Sequence, residues 1–337
     1  MMRKLARFSI GLCLTLICSA PSHAQDFYKG KTVTFVIGFG VGNGYDTYSR
    51  TVARSIGKHL PGKPNVIVQN MPGAGSIAAI NHLGNIAVRD GTVLGMIDQA
   101  AGLTQILDPK SLKADVTKFN WIGRLTDNAA VIFAWHTAPV KKIEDAFNEE
   151  LIIATAGQNS RMLSAMMRNM MGFRMRALNG YAGPQESNLA MERGEIHALT
   201  QPWAVLRSEK PEWIRDRKIN VLVQVGVDSH PDLTHIPLLS KFARNEEERQ
   251  IVDFLAGNSR VGRAVTSPPG QPAERVADLR KAFMETMKDS DFIGDIRRAN
   301  LDLSPMSGEQ LQSLIERTAH VSPEIVAKAK KLAEFEQ

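Results

Sequence analysis

The stretch TVTFVIGFGVGNGYD, residues 32–46, decides the fold class, because it joins an apolar run to a glycine-rich turn and then to a helical pattern. The run from Thr32 to Ile37 has the length and the β-branched content of a buried strand. From Asp46 to Leu60 the apolar residues recur with the period of an amphipathic helix. Strand, turn and helix in this order form the first unit of an α/β sheet.

The same alternation recurs on both sides of a loop that follows Asp108-Pro109. It predicts two α/β lobes, each opening with a strand, a glycine turn and a helix. The predicted strands are 32–37, 65–69, 92–97, 121–125, 131–135, 151–154, 176–178, 196–200, 220–225 and 260–266. The predicted helices are 46–60, 76–88, two that end near 171 and 193, 273–287, 291–300 and 308–316.

The length of the chain agrees with two lobes, because 337 residues less a 24-residue leader exceed what one core usually organises. We predict a first lobe from 25–124, to which the segment 265–337 returns, and a second lobe from 125–264. Two lobes imply a cleft between them.

The leader 1–24 has the layout of a secretory signal peptide. Arg3, Lys4 and Arg7 precede an apolar run, and Ser22-His23-Ala24 is a small-x-small cleavage signal before Gln25. The apolar run, 8–18, is about half the ~20 residues of a membrane-spanning helix. We therefore predict cleavage near Ala24/Gln25 and a periplasmic location.

Cleavage would remove both cysteines, Cys13 and Cys18, which excludes disulfides, thiolate ligands and cysteine nucleophiles from the mature chain. Ile17, which is not a small residue, precedes Cys18 and argues against lipid attachment. The leader also carries three of the 41 basic residues and none of the 35 acidic ones, so the net charge falls from +6 to +3. So small a charge disfavours nucleic-acid binding and suits a small anionic ligand.

The glycine turn 38–46 is the strongest candidate for a site, because glycines let backbone N–H groups converge on an anion at a helix N-terminus. The dinucleotide pattern G-x-G-x-x-G fails at Asn43 or Tyr45, and the P-loop pattern has Gln25 in place of its first glycine. A carboxylate cradle fits better, and a tight turn without ligand is the alternative.

Two further turns, 70–76 and 155–160, follow predicted strands and are expected at the same edge of the sheets, where ligands of open α/β folds bind. Ser76 and Asn159 could alternatively cap helices. Asp46 is interpreted as a helix cap or, less simply, as a base.

Catalytic and metal signatures are missing from the sequence. It contains no G-x-S-x-G and no H-E-x-x-H, and its closest histidines, His230 and His235, flank prolines in a loop. We predict no enzyme activity, no metal and no cofactor. The stripe Met162, Met166 and Met170 has helical spacing and is interpreted as a packing face.

Taken together, these motifs resemble those of the periplasmic solute-binding proteins of tripartite tricarboxylate transporters, the Bug-type receptors. The resemblance runs through nearly the whole mature chain. It rests on the turn that ends in Asp46 and Arg50, Asn70 with 72–75, 90–92, Gly157 with Ser160, Tyr181 with Gly183, Gly194, the loop 231–237 and 267–272.

The resemblance implies a type II-like periplasmic binding protein fold, in which two lobes close on a small carboxylate and deliver it to membrane permease subunits. It further implies a monomer without cofactor. The residues predicted to bind the ligand are Phe39, Gly40, Gly42, Asn43, Tyr45, Asp46, Ala74, Gly75, Ser76, Gly157, Gln158, Asn159, Ser160 and Tyr181.

The sequence departs from the family pattern at two places. Met71 stands where the family usually has arginine, and Ala182 where its Pro-Tyr-Lys-Gly element has lysine. Fewer cations argue against citrate and favour a mono- or dicarboxylate with an apolar or aromatic body near Phe39, Tyr45 and Tyr181. Arg50 and Arg161 are the candidate replacement cations.

Two other functions remain open from the sequence. A periplasmic sensor subunit would bind the same ligand and dock on a signalling partner. A secreted hydrolase or lyase would use Ser76, Ser160 and Asp46, for which the sequence offers no evident histidine partner.

Overall fold

A computed structural model describes residues 27–155, 157–181 and 184–334. The predicted leader and its cleavage site lie outside these residues. The strands are β1 (Thr32–Ile37), β2 (Asn65–Asn70), β3 (Val93–Met96), β4 (Asn120–Arg124), β5 (Ala130–Trp135), β6 (Leu151–Ala154), β7 (Met175–Leu178), β8 (Ala198–Pro202), β9 (Ile219–Val225), β10 (Ala264–Ser267) and β11 (Met306–Ser307). The helices are α1 (Gly44–Ile56), α2 (Ile77–Asn85), α3 (Ala101–Leu107), α4 (Gly157–Asn169), α5 (Pro184–Glu192), α6 (Trp203–Glu209), α7 (Pro211–Arg215), α8 (Glu246–Ala256), α9 (Ala273–Thr286), α10 (Ser290–Arg298), α11 (Gly308–Ala319) and α12 (Pro323–Glu334).

The first sheet has the strand order β11-β4-β10-β3-β1-β2. Strands β1, β2 and β3 are parallel, with Thr34 opposite both Ile67 and Val93. Strand β10 runs antiparallel to β3 and to β4, which makes the sheet mixed.

The second sheet has the order β7-β6-β8-β5-β9. Strand β6 is parallel to β7 and to β8, whereas β5 is antiparallel to β8 and β9. Two mixed α/β sheets flanked by helices confirm the predicted fold class. The sequence analysis identified most of the strands, and β1 and β6 begin and end where it placed them.

Apolar side chains form cores on the faces of each sheet. Met162 and Met166 on α4 and Met170, the residue that follows the helix, are buried, and the last two lie in the core shared with β6 and α8. Their interpretation as a packing face is confirmed. Helix α12 places Ile325 and Ala329 in this same core and contacts α4 and α8. The last helix thus lies against the second sheet, although the sequence analysis returned all of 265–337 to the first lobe.

Besides the passage from α11 to α12, the chain passes between the sheets in two neighbouring segments, 125–129 and 257–263. They are bonded to each other: the Leu125 and Asn128 amides donate to the carbonyls of Arg263 and Ser259, and the Arg263 amide donates to the Thr126 carbonyl, all at 2.9 Å. Gly262 has φ +54° here, and a Cβ on it would lie 2.7 Å from Cα of Asp127. Paired connections of this kind are the usual place for a hinge between lobes.

No helix in the described ranges is both long enough and apolar enough to cross a membrane.

Candidate functional site

The turns predicted to bind the ligand follow parallel strands, and so they lie at the carboxyl-terminal edges of the two sheets. In the first sheet the predicted turns follow β1 and β2; in the second the predicted turn follows β6, and Tyr181 follows β7. Open α/β sheets bind ligands at such edges.

The turn after β1 is held by side chains of its own sequence. Asn43 caps α1: its Oδ1 accepts from the Asp46 amide at 3.2 Å, and its Nδ2 donates to the Gly40 carbonyl at 2.8 Å. The Gly42 amide donates to Asp46 Oδ2 at 2.9 Å. These bonds shape the glycine turn around the first turn of α1.

Asp46 is 3% exposed and joins the turn to β2. Its Oδ1 accepts from Arg50 Nε and from Asn70 Nδ2, each at 2.9 Å. Arg50 Nη2 donates to Asn70 Oδ1 at 2.8 Å, and Asn70 Nδ2 also reaches the Phe39 carbonyl. Burial raises the pKa of the Asp46 carboxyl, but the bonds from Arg50, Gly42 and Asn70 outweigh it and lower that pKa below its ordinary value. The carboxylate therefore stays charged and acts as a brace for the turn.

Tyr45 connects this turn to the end of β3 and to the crossing segment 257–263. Its ring stacks on Phe39 at 4.1 Å between centroids, and its hydroxyl accepts from the Gln99 amide at 3.2 Å. Arg263 places its Cζ 3.9 Å from the Tyr45 ring centroid, within cation–π distance. Burial raises the pKa of Tyr45, so its hydroxyl remains protonated at neutral pH.

The second turn of the first lobe packs on the first. Ser76 is buried, with φ +77°, and its Oγ accepts from the Asp98 amide at 3.2 Å. A Cβ added to Gly38 would lie 2.7 Å from Ser76 Cβ, so only glycine allows this approach. Ala74 and Gly75 are exposed beside it. Ser76 makes no capping bond to α2, contrary to the alternative considered from the sequence.

In the second sheet, Gly157 begins α4 directly after β6, and the side chains of Gln158 and Asn159 lie outside the described part of the structure. Ser160 is half-buried on the first turn of α4. After β7, the Thr155 hydroxyl donates to Asn179 Oδ1, which ties the ends of β6 and β7 together. Tyr181 is half-buried and packs against the cluster that contains Trp203 and Leu206.

A cavity of about 120 Å³ lies between the two sheets and brings the turn after β1 together with the helix after β8. A void of about 150 Å³ holds benzene, so this space suits a ligand of a few heavy atoms. Its lining comprises Gly42, Asn43, Gly44, Thr47, Tyr48, Thr126, Asp127, Asn128, Ala204, Val205, Ser208, Glu209, Arg263, Ala299 and Leu301. Of the predicted site residues, Gly42 and Asn43 border this cavity.

Arg263, Asn128 and α6 were not predicted from the sequence. Arg263 is 5% exposed, and its Nε and Nη1 have no hydrogen-bond partner among the described residues. A signal was available, since an arginine beside the apolar residues Val261, Ala264 and Val265 is unusual in a buried strand. Asn128 bridges the lobes, because its Nδ2 donates to Gln99 Oε1 at 2.8 Å.

The two replacement cations proposed from the sequence do not line this cavity. Arg50 is paired with Asp46 and Asn70, and Arg161 is exposed on α4. Within the described ranges, no group of three or more His, Cys, Asp or Glu side chains could hold a metal ion.

The chain was compared with known proteins. No protein-family model matches it, and no curated protein matches it. Solved structures that it resembles include a TctC solute-binding protein from Polaromonas without ligand, at TM-score 0.65 and 19% identity over 91% of this chain and 99% of that one. A second, from R. palustris and solved with adipate, has TM-score 0.64 and 18% identity over 90% and 97%. A third, MatC from Rhodopseudomonas palustris with bound malate, has TM-score 0.59 and 19% identity over 90% and 98%. The chain therefore has the two-lobe fold of these periplasmic binding proteins.

Proposed function

We propose that this protein is an extracytoplasmic receptor, which captures a small organic carboxylate between its lobes and delivers it to the membrane permease of a tripartite tricarboxylate transporter. The observation that carries the proposal is the cavity bordered by both sheets. The turn after β1 faces α6, the helix after β8, across this cavity. Ligand-binding edges of two lobes thus meet at one place.

The geometry suits a clamp. Gly42, Asn43 and Gly44 at the start of α1 border the cavity, which places the positive end of a helix dipole beside it and favours an anion. The paired segments 125–129 and 257–263, joined by backbone hydrogen bonds, are the proposed hinge for a rotation of the lobes. A ligand that contacts both lobes would stabilise the closed arrangement.

The neighbours support the ligand class. One was solved with adipate and another with malate, both of which are carboxylates. The predicted signal peptide supports export to the periplasm. Delivery to a permease rests on the resemblance of the motifs to the transporter receptors.

A hydrolase is disfavoured by the surroundings of its candidate groups. Ser76 is 1% exposed and its Oγ is bonded to the Asp98 amide. The Asp46 carboxylate accepts bonds from Gly42, Arg50 and Asn70. Both side chains support the turns and are poorly placed to attack a substrate.

The direct test is a thermal-shift screen of the mature protein against aliphatic and aromatic carboxylates. A ligand at 100 times its dissociation constant stabilises the native state by about 2.7 kcal/mol. The amide of each acid, which has the same shape without the charge, serves as the matched control. If no acid shifts the melting temperature more than its amide does, the receptor proposal fails.

A second test concerns the clamp. Small-angle scattering with a hit from the screen should show a smaller radius of gyration than the free protein. Replacing Gly157 with phenylalanine should abolish binding if the start of α4 contacts the ligand, whereas unchanged affinity would remove α4 from the proposed site.

A further inference from the structure

We propose that Arg263 is the counter-ion of the ligand's carboxylate and that the preferred ligand carries a single carboxylate group. This inference rests on the proposed receptor function and specifies how its cavity recognises the ligand.

The guanidinium of Arg263 is buried and is not fully satisfied by hydrogen bonds to the described residues. Arg263 is 5% exposed, yet neither its Nε nor its Nη1 finds an acceptor among the described residues. Burying N–H groups without acceptors is costly, so a ligand that supplies acceptors to Nε and Nη1 would be favoured. The Tyr45 ring, 3.9 Å from Cζ, holds the guanidinium in place and leaves Nε and Nη1 without an acceptor among the described residues.

The guanidinium of Arg263 lies in the cavity beside the start of α1. Arg263 lines the cavity together with Gly42, Asn43 and Gly44 at the start of α1. A Cβ built on Gly44 would stand 3.4 Å from Arg263 Nη2, so the guanidinium lies directly beside the first residue of the helix. The side-chain charge and the positive end of the thirteen-residue helix α1 therefore act on the same small space.

The other charged residues that line the cavity are acidic. Among the described residues that border the cavity, Arg263 is the one cation, whereas Asp127 and Glu209 are acidic. Asp98 also faces Arg263 from the end of β3, and it accepts bonds from Tyr45 and from the Ala100 amide. A second carboxylate on the ligand would meet no further cation and would be repelled by Asp127 or Glu209. One carboxylate with a neutral body satisfies the site.

The ligand class is tested on the wild-type mature protein with acids of equal chain length. Isothermal titration would compare butyrate with succinate and hexanoate with adipate. The monocarboxylate of each pair should bind at least tenfold more tightly. Tighter binding of succinate and adipate would overturn the single-carboxylate assignment.

The role of Arg263 is tested with the best monocarboxylate of that series. Arg263→Gln should weaken binding at least tenfold. Arg263→Lys keeps the positive charge but not the bidentate guanidinium, and it should lose less affinity. Arg54→Gln is the matched control, because Arg54 is 58% exposed on α1 and pairs with Asp295 outside the cavity. Its affinity should equal that of the wild type.

Gly44→Ala is a second test, which does not depend on whether the Arg263 variants fold. Position 44 is helical and its Cβ meets nothing closer than 3.4 Å, so the fold should persist while the methyl group takes space beside the guanidinium. We expect weaker binding with an unchanged melting temperature of the free protein. Wild-type affinity in both Arg263→Gln and Gly44→Ala would overturn the Arg263 assignment and leave the receptor function standing. Absence of any carboxylate binding by the wild type would instead refute the receptor function itself.

Discussion

Replacing Asp46 with alanine should loosen the glycine turn, because this one carboxylate joins the turn, α1 and β2. The substitution removes acceptors from Gly42, Arg50 and Asn70. Hydrogen bonds to a charged group are worth about 1.5–3 kcal/mol each when removed. The total loss of stability should be smaller than the sum of three such hydrogen bonds, because some of the donors keep other partners or reach water.

Arg50 is 42% exposed, so its pairing with Asp46 is screened and contributes about 1 kcal/mol at most. Asn70 Nδ2 retains the Phe39 carbonyl at 2.9 Å after the change. The Gly42 amide loses its carboxylate acceptor. We therefore expect a total loss of about 2–3 kcal/mol, within the usual range for breaking a buried polar network.

The assay is thermal unfolding of the mature protein. One kcal/mol shifts the melting temperature by about 2–4 °C for a domain of 150–250 residues, so Asp46→Ala should melt about 4–12 °C lower. Arg50→Gln, which leaves the Gly42 and Asn70 bonds to Asp46 intact, should cost about 1 kcal/mol or less.

The effect should depend on pH. The pKa of Asp46 is lower in the folded protein than in the unfolded chain, so its stabilisation is complete above the unfolded value of about 3.9. This stabilisation is lost as the pH falls below the unfolded pKa and through the lower pKa that Asp46 has in the folded protein. The gap in melting temperature between wild type and Asp46→Ala should thus be constant from pH 7 to pH 5 and shrink towards pH 3. A gap under 1 °C at pH 7, or one that widens in acid, would refute the bracing role of Asp46.

Two further substitutions test other parts of the fold. Gly38→Ala should destabilise the protein by about 1–3 kcal/mol, because the new Cβ would lie 2.7 Å from Ser76 Cβ, whereas Gly40→Ala, with no atom within 4 Å, should melt like the wild type. Equal melting temperatures of the two variants would contradict the close packing of the turns. Asp289→Ala should cost about 0.5–2 kcal/mol in urea unfolding, since Asp289 caps α10 by accepting from the Asp291 and Phe292 amides. The 85%-exposed Asp291 is the control position, and a loss as large on Asp291→Ala would argue against the cap.

The sequence by itself determined the local units of this protein. Strand β1, its turn and α1 were predicted because the hydrophobic period changes from a run to 3.6 residues at a cluster of glycines, all within 30 residues. Strand β6 was predicted for the same reason. Five helices of the described residues were not predicted: α3, α6, α7, α8 and α12. Three of them, α3, α6 and α7, have seven residues or fewer, which is too short for a helical period to stand out.

What only the tertiary structure decided is which distant residues meet. Asp46 and Asn70 are 24 positions apart, and their bond makes Asp46, a predicted ligand contact, also a brace for the turn. Arg263 lies more than 200 positions beyond Tyr45, yet its guanidinium rests on that ring and borders the cavity. Periodicity reports the face that a residue occupies within its own element. The packing of the hinge segments against α1 depends on long-range contacts, to which no local period corresponds.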